Sequence, residues 1–284
     1  MNLDNGALVL EGGGLRGVYT SGVLRFFMDK RVFLPYVIGA SMGACNAANY
    51  LSRQPERNRI VNIRYVNDAR YLSYYRLFAH GELFGMEFIF NAIPRSLVPF
   101  DFETFTNNDA KCVIIVTDCE SGEAVYYKKN ELGEDYLKIL QASCSLPFVA
   151  KPVHYKGRIY MDGGLSDAVP IRKSIDDGNI KNIVILTRPK AYRKKPTRLT
   201  WFAKILYPRY KGLRETLASR HLKYNETMDF IDLLEERDKV FVIRPQLSLN
   251  VSRAERNKDK LYAVYDQGYS DASTCYERLC AYLN

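Results

Sequence analysis

Ser41 sits in Gly39-Ala40-Ser41-Met42-Gly43, a G-x-S-x-G pentapeptide. Its small flanking residues suit a sharp strand-to-helix turn that lifts the hydroxyl clear of a sheet edge, so Ser41 is a candidate nucleophile for acyl transfer. The first amides of the helix that follows would point at it, where the helix dipole favours incoming negative charge. Outside a strand-to-helix context the same spacing is only a small-residue packing turn.

Gly12-Gly13-Gly14-Leu15-Arg16-Gly17 matches G-x-G-x-x-G and raises a dinucleotide-binding loop. That use requires an acidic residue closing the second strand, which instead ends in Gly39-Ala40-Ser41. A nucleotide-dependent oxidoreductase is therefore the remote alternative. Bare amides beside a serine have another use, as an oxyanion hole, because glycine permits unusual dihedrals and close approach. Gly12, Gly13, Gly14 and Leu15 are the candidate donors. Arg16 reads as a loop organiser or an anion-recognition group, and Gly17, Gly39 and Gly43 as motif support.

Asp162-Gly163-Gly164 by itself marks a turn; its weight comes from the histidines. The chain has only His80, His154 and His221, and a Ser-Asp-His hydrolase needs one of them after its acid. His221 lies between Arg220 and Lys223 in a basic stretch that reads as a solvated helix face. The serine also comes too early, after a single strand. A histidine triad is disfavoured on both counts.

These residues need elements to position them. Residues 7 to 11 form an apolar strand broken by the glycine turn. From Arg16 to Lys30, Tyr19, Val23, Phe26 and Phe27 mark one face of a helix. A strand at 36 to 40 and a tightly packed helix at 42 to 51 follow, so the opening is β-α-β-α with Ser41 at the second strand-helix junction. Cys112 to Thr117 and Ala124 to Tyr127 read as a hairpin, 134 to 143 as a helix ended by Pro147, and 158 to 161 as a strand running into Asp162. That strand is expected to open on the same carboxyl edge as Ser41. Further strands are expected at 182 to 187 and 240 to 244, and helices at 215 to 236 and 261 to 283. The fold class is α/β, with a mainly parallel central sheet flanked by helices.

The ordered trio of Gly-Gly-Gly-x-Arg-Gly, Gly-x-Ser-x-Gly and Asp-Gly-Gly resembles the patatin-like phospholipases. So do Ala142-Ser143-Cys144-Ser145-Leu146-Pro147, similar to the family's Ala-Ser-x-x-x-Pro turn, and the stretch from Asp162 to Pro170, where Ala168 replaces the Asn often found before Val-Pro. The resemblance covers roughly residues 5 to 190. It implies a three-layer α/β/α fold and a Ser-Asp dyad in which Asp162 takes the Ser41 proton, with Gly163 and Gly164 in support and no metal or cofactor. An ordinary aspartate is a feeble base at neutral pH, so burial must raise it. The implied substrate is a lipid ester; a catalytically weak lipid-binding or regulatory protein on the same fold is the alternative.

The chain has 284 residues, 47% of them hydrophobic, and a formal charge of +9. Residues 1–190 are read as the catalytic domain, with an aromatic-rich helical insertion at about 56–108 whose rings belong to the core or line an acyl-chain cavity. Residues 191–284 are read as a basic extension packed on the same domain. No apolar run of eighteen or more residues occurs, and Asp4 and Glu11 flank the first strand where a signal peptide would carry a basic and then an apolar region. Neither a spanning helix nor a signal peptide is expected, and a cytoplasmic location follows. The six cysteines contain no CxxC pair and read as reduced, buried thiols. From 188 to 214 ten Lys or Arg occur without an acid, interleaved with Trp201, Phe202, Tyr207 and Tyr210. That composition suits peripheral contact with an anionic membrane; no motif accompanies it that would suit nucleic acid.

Overall fold

A computed structural model describes Leu3 and residues 6–284; Asp4 lies outside the described residues. Strand β1 (Gly6–Leu10) is followed by a short turn of helix at Gly14–Gly17, helix α1 (Val18–Asp29), strand β2 (Tyr36–Ala40) and helix α2 (Met42–Leu51). Strands β3 (Lys111–Asp118), β4 (Ala124–Lys128), β5 (Val153–Tyr155), β6 (Arg158–Asp162), β7 (Lys181–Ile185) and β8 (Val240–Ile243) complete an eight-stranded sheet. Its order is β5-β6-β3-β2-β1-β7-β8, with β4 paired to β3. From β3 across to β8 every neighbouring pair is parallel, while β4, β5 and β6 join antiparallel.

Alternation along the strands sorts side chains to two faces. Leu8, Leu10, Val37, Ile114, Val116, Ile183 and Ile185 pack with α1, α2 and the helix Tyr136–Cys144 on one side. Ala7, Val9, Ile38, Val113, Ile115 and Val184 pack on the other against Ile171 and against Tyr224, Met228 and Ile231 of the long helix Lys211–Glu236. Both faces are covered, which is why the central strands read as unbroken apolar runs.

The last third joins this core directly. β8 extends the sheet beside β7, and the helix Lys258–Thr274 crosses α1 so closely that a Cβ on Gly22 would lie 2.0 Å from the Tyr265 carbonyl oxygen and one on Gly268 2.1 Å from that of Tyr19. Tyr19 also donates to Asp271 at 2.7 Å. The expected final helix is two: the first ends at Thr274 and the second spans Tyr276–Leu283. The cysteines are all free, but only Cys112 and Cys119 are buried; the other four are half-buried.

Between α2 and β3 the chain winds through short helices. Tyr71, Phe88, Phe90, Phe100 and Phe105 are buried, whereas Tyr75 and Phe78 on the helix Tyr74–His80 are 80% and 88% exposed. No helix among the described residues is long and apolar enough to cross a membrane.

Candidate active site

Ser41 occupies the junction of β2 and α2 with φ 54° and ψ −126°, in the left-handed half of backbone space. A non-glycine residue held there stores about 1–3 kcal/mol, and the surroundings must enforce it. They do so from two directions. The Ser41 amide donates to the Ser143 hydroxyl at 2.8 Å, and that hydroxyl donates to the Ile115 carbonyl at 2.6 Å, which ties the elbow to β3. Below it, a Cβ on Gly43 would lie 2.4 Å from the Leu10 carbonyl oxygen and one on Gly39 2.6 Å from the Gly43 carbonyl carbon. Both outer glycines of the pentapeptide are thus required for close packing of the elbow. Ser143, which enters the sequence reading only within the resembling Ala-Ser-x-x-x-Pro turn, is the residue that holds the Ser41 backbone.

The glycine loop meets this serine. A Cβ on Gly12 would sit 3.2 Å from the Ser41 Cβ, so the loop and the elbow converge as the β1-α1-β2 order requires. The candidate donors divide, however. The Gly12 amide is bonded to the Ala168 carbonyl at 3.2 Å and the Leu15 amide to the Arg253 carbonyl at 3.1 Å. Among the described residues the Gly13 and Gly14 amides have no acceptor, and Gly14 has φ 57°. Of the four candidate donors, Gly13 and Gly14 therefore keep free amides, while distant chain segments occupy those of Gly12 and Leu15. Gly17 lies under Met42, where a Cβ would come within 2.4 Å of the Met42 Cγ.

Asp162 reaches the same place by an unexpected route. β6 runs antiparallel to β3, with Asp162 opposite Val116, while β2 ends with Ala40 opposite Ile115. β4 holds the other edge of β3 through residues 113–117. β6 thus takes the edge that β2 leaves at the elbow and points its last residue back toward Ser41. The expected meeting at the carboxyl edge occurs, but with the strand reversed. A Cβ on Gly163 would lie 2.1 Å from the Ile115 carbonyl oxygen, so the turn after Asp162 is packed directly on β3.

Asp162 is 1% exposed. Its Oδ1 accepts from the Gly164 amide at 2.8 Å, and its Oδ2 is buried with no hydrogen-bond partner. Burial pushes this carboxyl above its ordinary value of 3.8, against the opposing pull of Arg220 and of the nearby Ser41 hydroxyl. A buried carboxylate with one free oxygen beside a strained serine has the geometry that general-base chemistry requires.

Two pockets share Ser41, Gly14 and Leu146. One is mainly apolar and runs beneath the insertion, lined by Met42, Cys45, Tyr71, Phe84, Ile89 and Phe90, so part of the aromatic insertion does line a cavity. The other is polar and contains Asp162, the glycine loop and five basic side chains: Arg16, Arg188, Lys194, Arg220 and Arg253. Sequence reasoning flagged Arg16 and the segment bearing Arg188 and Lys194; Arg220 and Arg253 carried no signal. Glu11, read at first only as an end-of-strand residue, is buried beneath them, accepting from Thr187 and from the Tyr224 hydroxyl. His221 is half-buried with Nδ1 enclosed and lines the neighbouring cleft, and it is absent from the lining of both pockets that contain Ser41.

The model of the patatin-like phospholipase family matches residues 8–175, and that of a domain of unknown function (DUF6363) matches residues 210–284. The chain is 28% identical over 254 residues to the uncharacterized protein YjjU of Escherichia coli, covering 86% of this chain and 69% of that one. It is 28% identical over 196 residues to the probable lipid hydrolase 463L of Invertebrate iridescent virus 6, covering 62% of this chain and 65% of the viral one. In fold it is similar to VipD from Legionella pneumophila, with a TM-score of 0.51 at 12% identity over 97% of this chain and 67% of that one.

Proposed function

The chain belongs to the patatin-like phospholipase family, and from that premise we propose that it is a serine acyl hydrolase that cleaves carboxylic esters of lipids. The observation that carries this reading is the pairing of a strained, enclosed Ser41 with the unpartnered Oδ2 of buried Asp162. Ser41 Oγ attacks the ester carbonyl carbon while its proton passes to Asp162. The carbonyl oxygen becomes an oxyanion held by the Gly13 and Gly14 amides, each such donor contributing about 3–4 kcal/mol to the transition state. The C–O bond to the alcohol then breaks, and the leaving alkoxide takes the proton from Asp162. Water attacks the resulting acyl-enzyme, giving its proton to Asp162, and the fatty acid departs as Ser41 is reprotonated. The apolar pocket beneath the insertion receives the acyl chain.

A fluorophosphonate probe tests the nucleophile. It is expected to label Ser41 stoichiometrically and no other serine, and labelling elsewhere, or none in folded protein, would overturn the reading.

The proposal extends to the membrane from which such a substrate comes. On the helix Thr200–Leu206, Trp201 and Ile205 are 63% and 62% exposed, beside Lys195, Arg198 and Lys204, which form no ion pair among the described residues. The segment is not uniformly basic to solvent, since Lys190 and Arg193 pair with Asp229, Asp232 and Glu235. Exposed aromatic and aliphatic groups flanked by free cations suit the headgroup layer of an anionic surface. Co-sedimentation with vesicles containing anionic lipid is expected, weakening at high salt; equal binding to neutral vesicles would contradict it.

A further inference from the structure

The polar pocket beside Ser41 is charged far beyond what the ester chemistry needs. Arg16, Arg188, Lys194, Arg220 and Arg253 converge on it, against two carboxylates, Glu11 and Asp162. Glu11 is already engaged by Thr187 and Tyr224. None of the five cations forms an ion pair among the described residues. Arg16 is only 6% exposed, and its Nε is buried without a partner. Burial, then Arg188 and Arg253, bring its guanidinium down to about 10; burial, then Arg253, do the same to Arg220. Burial, then Arg220, drives the Lys194 ammonium down to about 6, although it lies 3.8 Å over the Tyr224 ring. Five mutually repelling cations without ion pairs among the described residues, Arg16 buried, Arg188, Lys194 and Arg220 half-buried and Arg253 exposed at the rim, favour an incoming anion.

We infer that this chamber is a phosphate-recognition subsite that selects lipid esters whose headgroup ends in a phosphate monoester. The inference rests on the hydrolase reading and names its substrate class. Four forked guanidinia around one pocket match the oxygens of a phosphate dianion, which several donors can hold at once. A choline or ethanolamine headgroup would instead bring a further cation among five. The two pockets meet at Ser41, so an ester carbonyl there places the acyl chain on the apolar side and the headgroup on the basic side. Arg220 lies on the helix Lys211–Glu236 and Arg253 on the loop whose carbonyl holds the Leu15 amide. Both fall within residues 210–284. That region thereby acquires a role: it closes the pocket of the first and reads the headgroup.

The test compares two arms on the full chain. Glycerol 3-phosphate is titrated calorimetrically into wild type and into Arg253→Gln and Lys194→Gln variants, whose side chains are at the surface or half-buried and leave the backbone contacts in place. Hydrolysis of phosphatidic acid, phosphatidylcholine and diacylglycerol is then compared in mixed micelles. Wild type is expected to bind glycerol 3-phosphate with proton uptake near neutral pH, as the anion recharges Lys194, and each variant to bind at least tenfold more weakly. Phosphatidic acid is expected to be favoured at least tenfold in kcat/KM, and the variants to lose that ratio through KM. Two results overturn the inference: no glycerol 3-phosphate binding by folded protein, or binding without preference for phosphatidic acid, which marks a site for free phosphate. The calorimetric arm needs no turnover, so its failure leaves the hydrolase reading standing, whereas an unlabelled Ser41 sinks the hydrolase reading and with it the substrate class, even where glycerol 3-phosphate still binds.

Discussion

Replacing Ser41 by alanine is expected to lower turnover of a medium-chain p-nitrophenyl ester by a factor on the order of 10^4 or more, with the far-ultraviolet circular dichroism spectrum unchanged. The size follows from the role: without Oγ there is no acyl-enzyme, and what remains is the oxyanion site and substrate binding. The fold should tolerate the change because the elbow is held through the Ser41 backbone amide and the packing of Gly39 and Gly43, not through the hydroxyl. The φ of 54° remains to be enforced in the variant, so a glycine at the same position should melt higher than alanine while being equally inactive. Retention of more than a tenth of wild-type turnover in Ser41→Ala would remove the serine from the mechanism.

Asp162→Asn is expected to cost a comparable factor, on the order of 10^4, and to raise the melting temperature at neutral pH. Both effects come from the same burial. A carboxylate forced out of water with one unpartnered oxygen is a stronger base than an exposed one, and it is also a destabilising charge. Because its folded pKa lies above the ordinary 3.8, the folded protein holds more protons than the unfolded chain in the window just above that value. Stability therefore falls as pH rises through the window, and the penalty is fully present above it. Asparagine keeps an acceptor for the Gly164 amide and carries no charge. The stabilisation of the variant relative to wild type should shrink toward zero below pH 3.8, where Asp162 is protonated in both states. The acid limb of kcat/KM in wild type should report the same elevated titration. A lower melting temperature for Asp162→Asn at neutral pH, or an acid limb at the ordinary carboxylate value, would contradict this account. Combining the two substitutions should cost no more than Ser41→Ala alone, since residues that act as one unit are not additive.

The remaining basic residues make the division of labour along the chain plainer. Around the long helix, Arg193 and Arg244 pair with Asp229, Asp232 and Glu235, while the cations of the pocket beside Ser41 form no ion pair among the described residues. Among the described residues, unpaired positive charge thus gathers in two places, the pocket beside Ser41 and the segment around the helix Thr200–Leu206.

Much of the site was legible because its chemistry is written in contiguous residues whose sizes the backbone dictates. A serine at positive φ between a strand and a helix needs Gly39 and Gly43 at fixed offsets, and a loop whose amides approach it needs Gly12 to Gly14. Such sterics operate over five or six residues, so they survive in the sequence as patterns. The apolar strands, the helical face of Tyr19, Val23, Phe26 and Phe27, and the order in which β1 and β2 carry the loop and the serine were readable for the same reason, since periodicity is local. By itself, then, the sequence determined the strand-and-helix alternation and the positions of the candidate nucleophile, glycine loop and candidate base.

What only the tertiary structure decided depends on segments that meet from far apart in the chain. The direction of β6 follows from which edge of β3 lies vacant beyond Ala40. The loss of Gly12 and Leu15 as free donors follows from carbonyls 156 and 238 residues away, at Ala168 and Arg253. The upward shift of the Asp162 carboxyl follows from burial, and the basic pocket from four separate segments, of which Arg16 and the stretch bearing Arg188 and Lys194 stand out in the sequence while Arg220 and Arg253 do not. Hydrogen-bond saturation, desolvation and summed electrostatic potential are properties of a neighbourhood in space, and no stretch of consecutive residues records them.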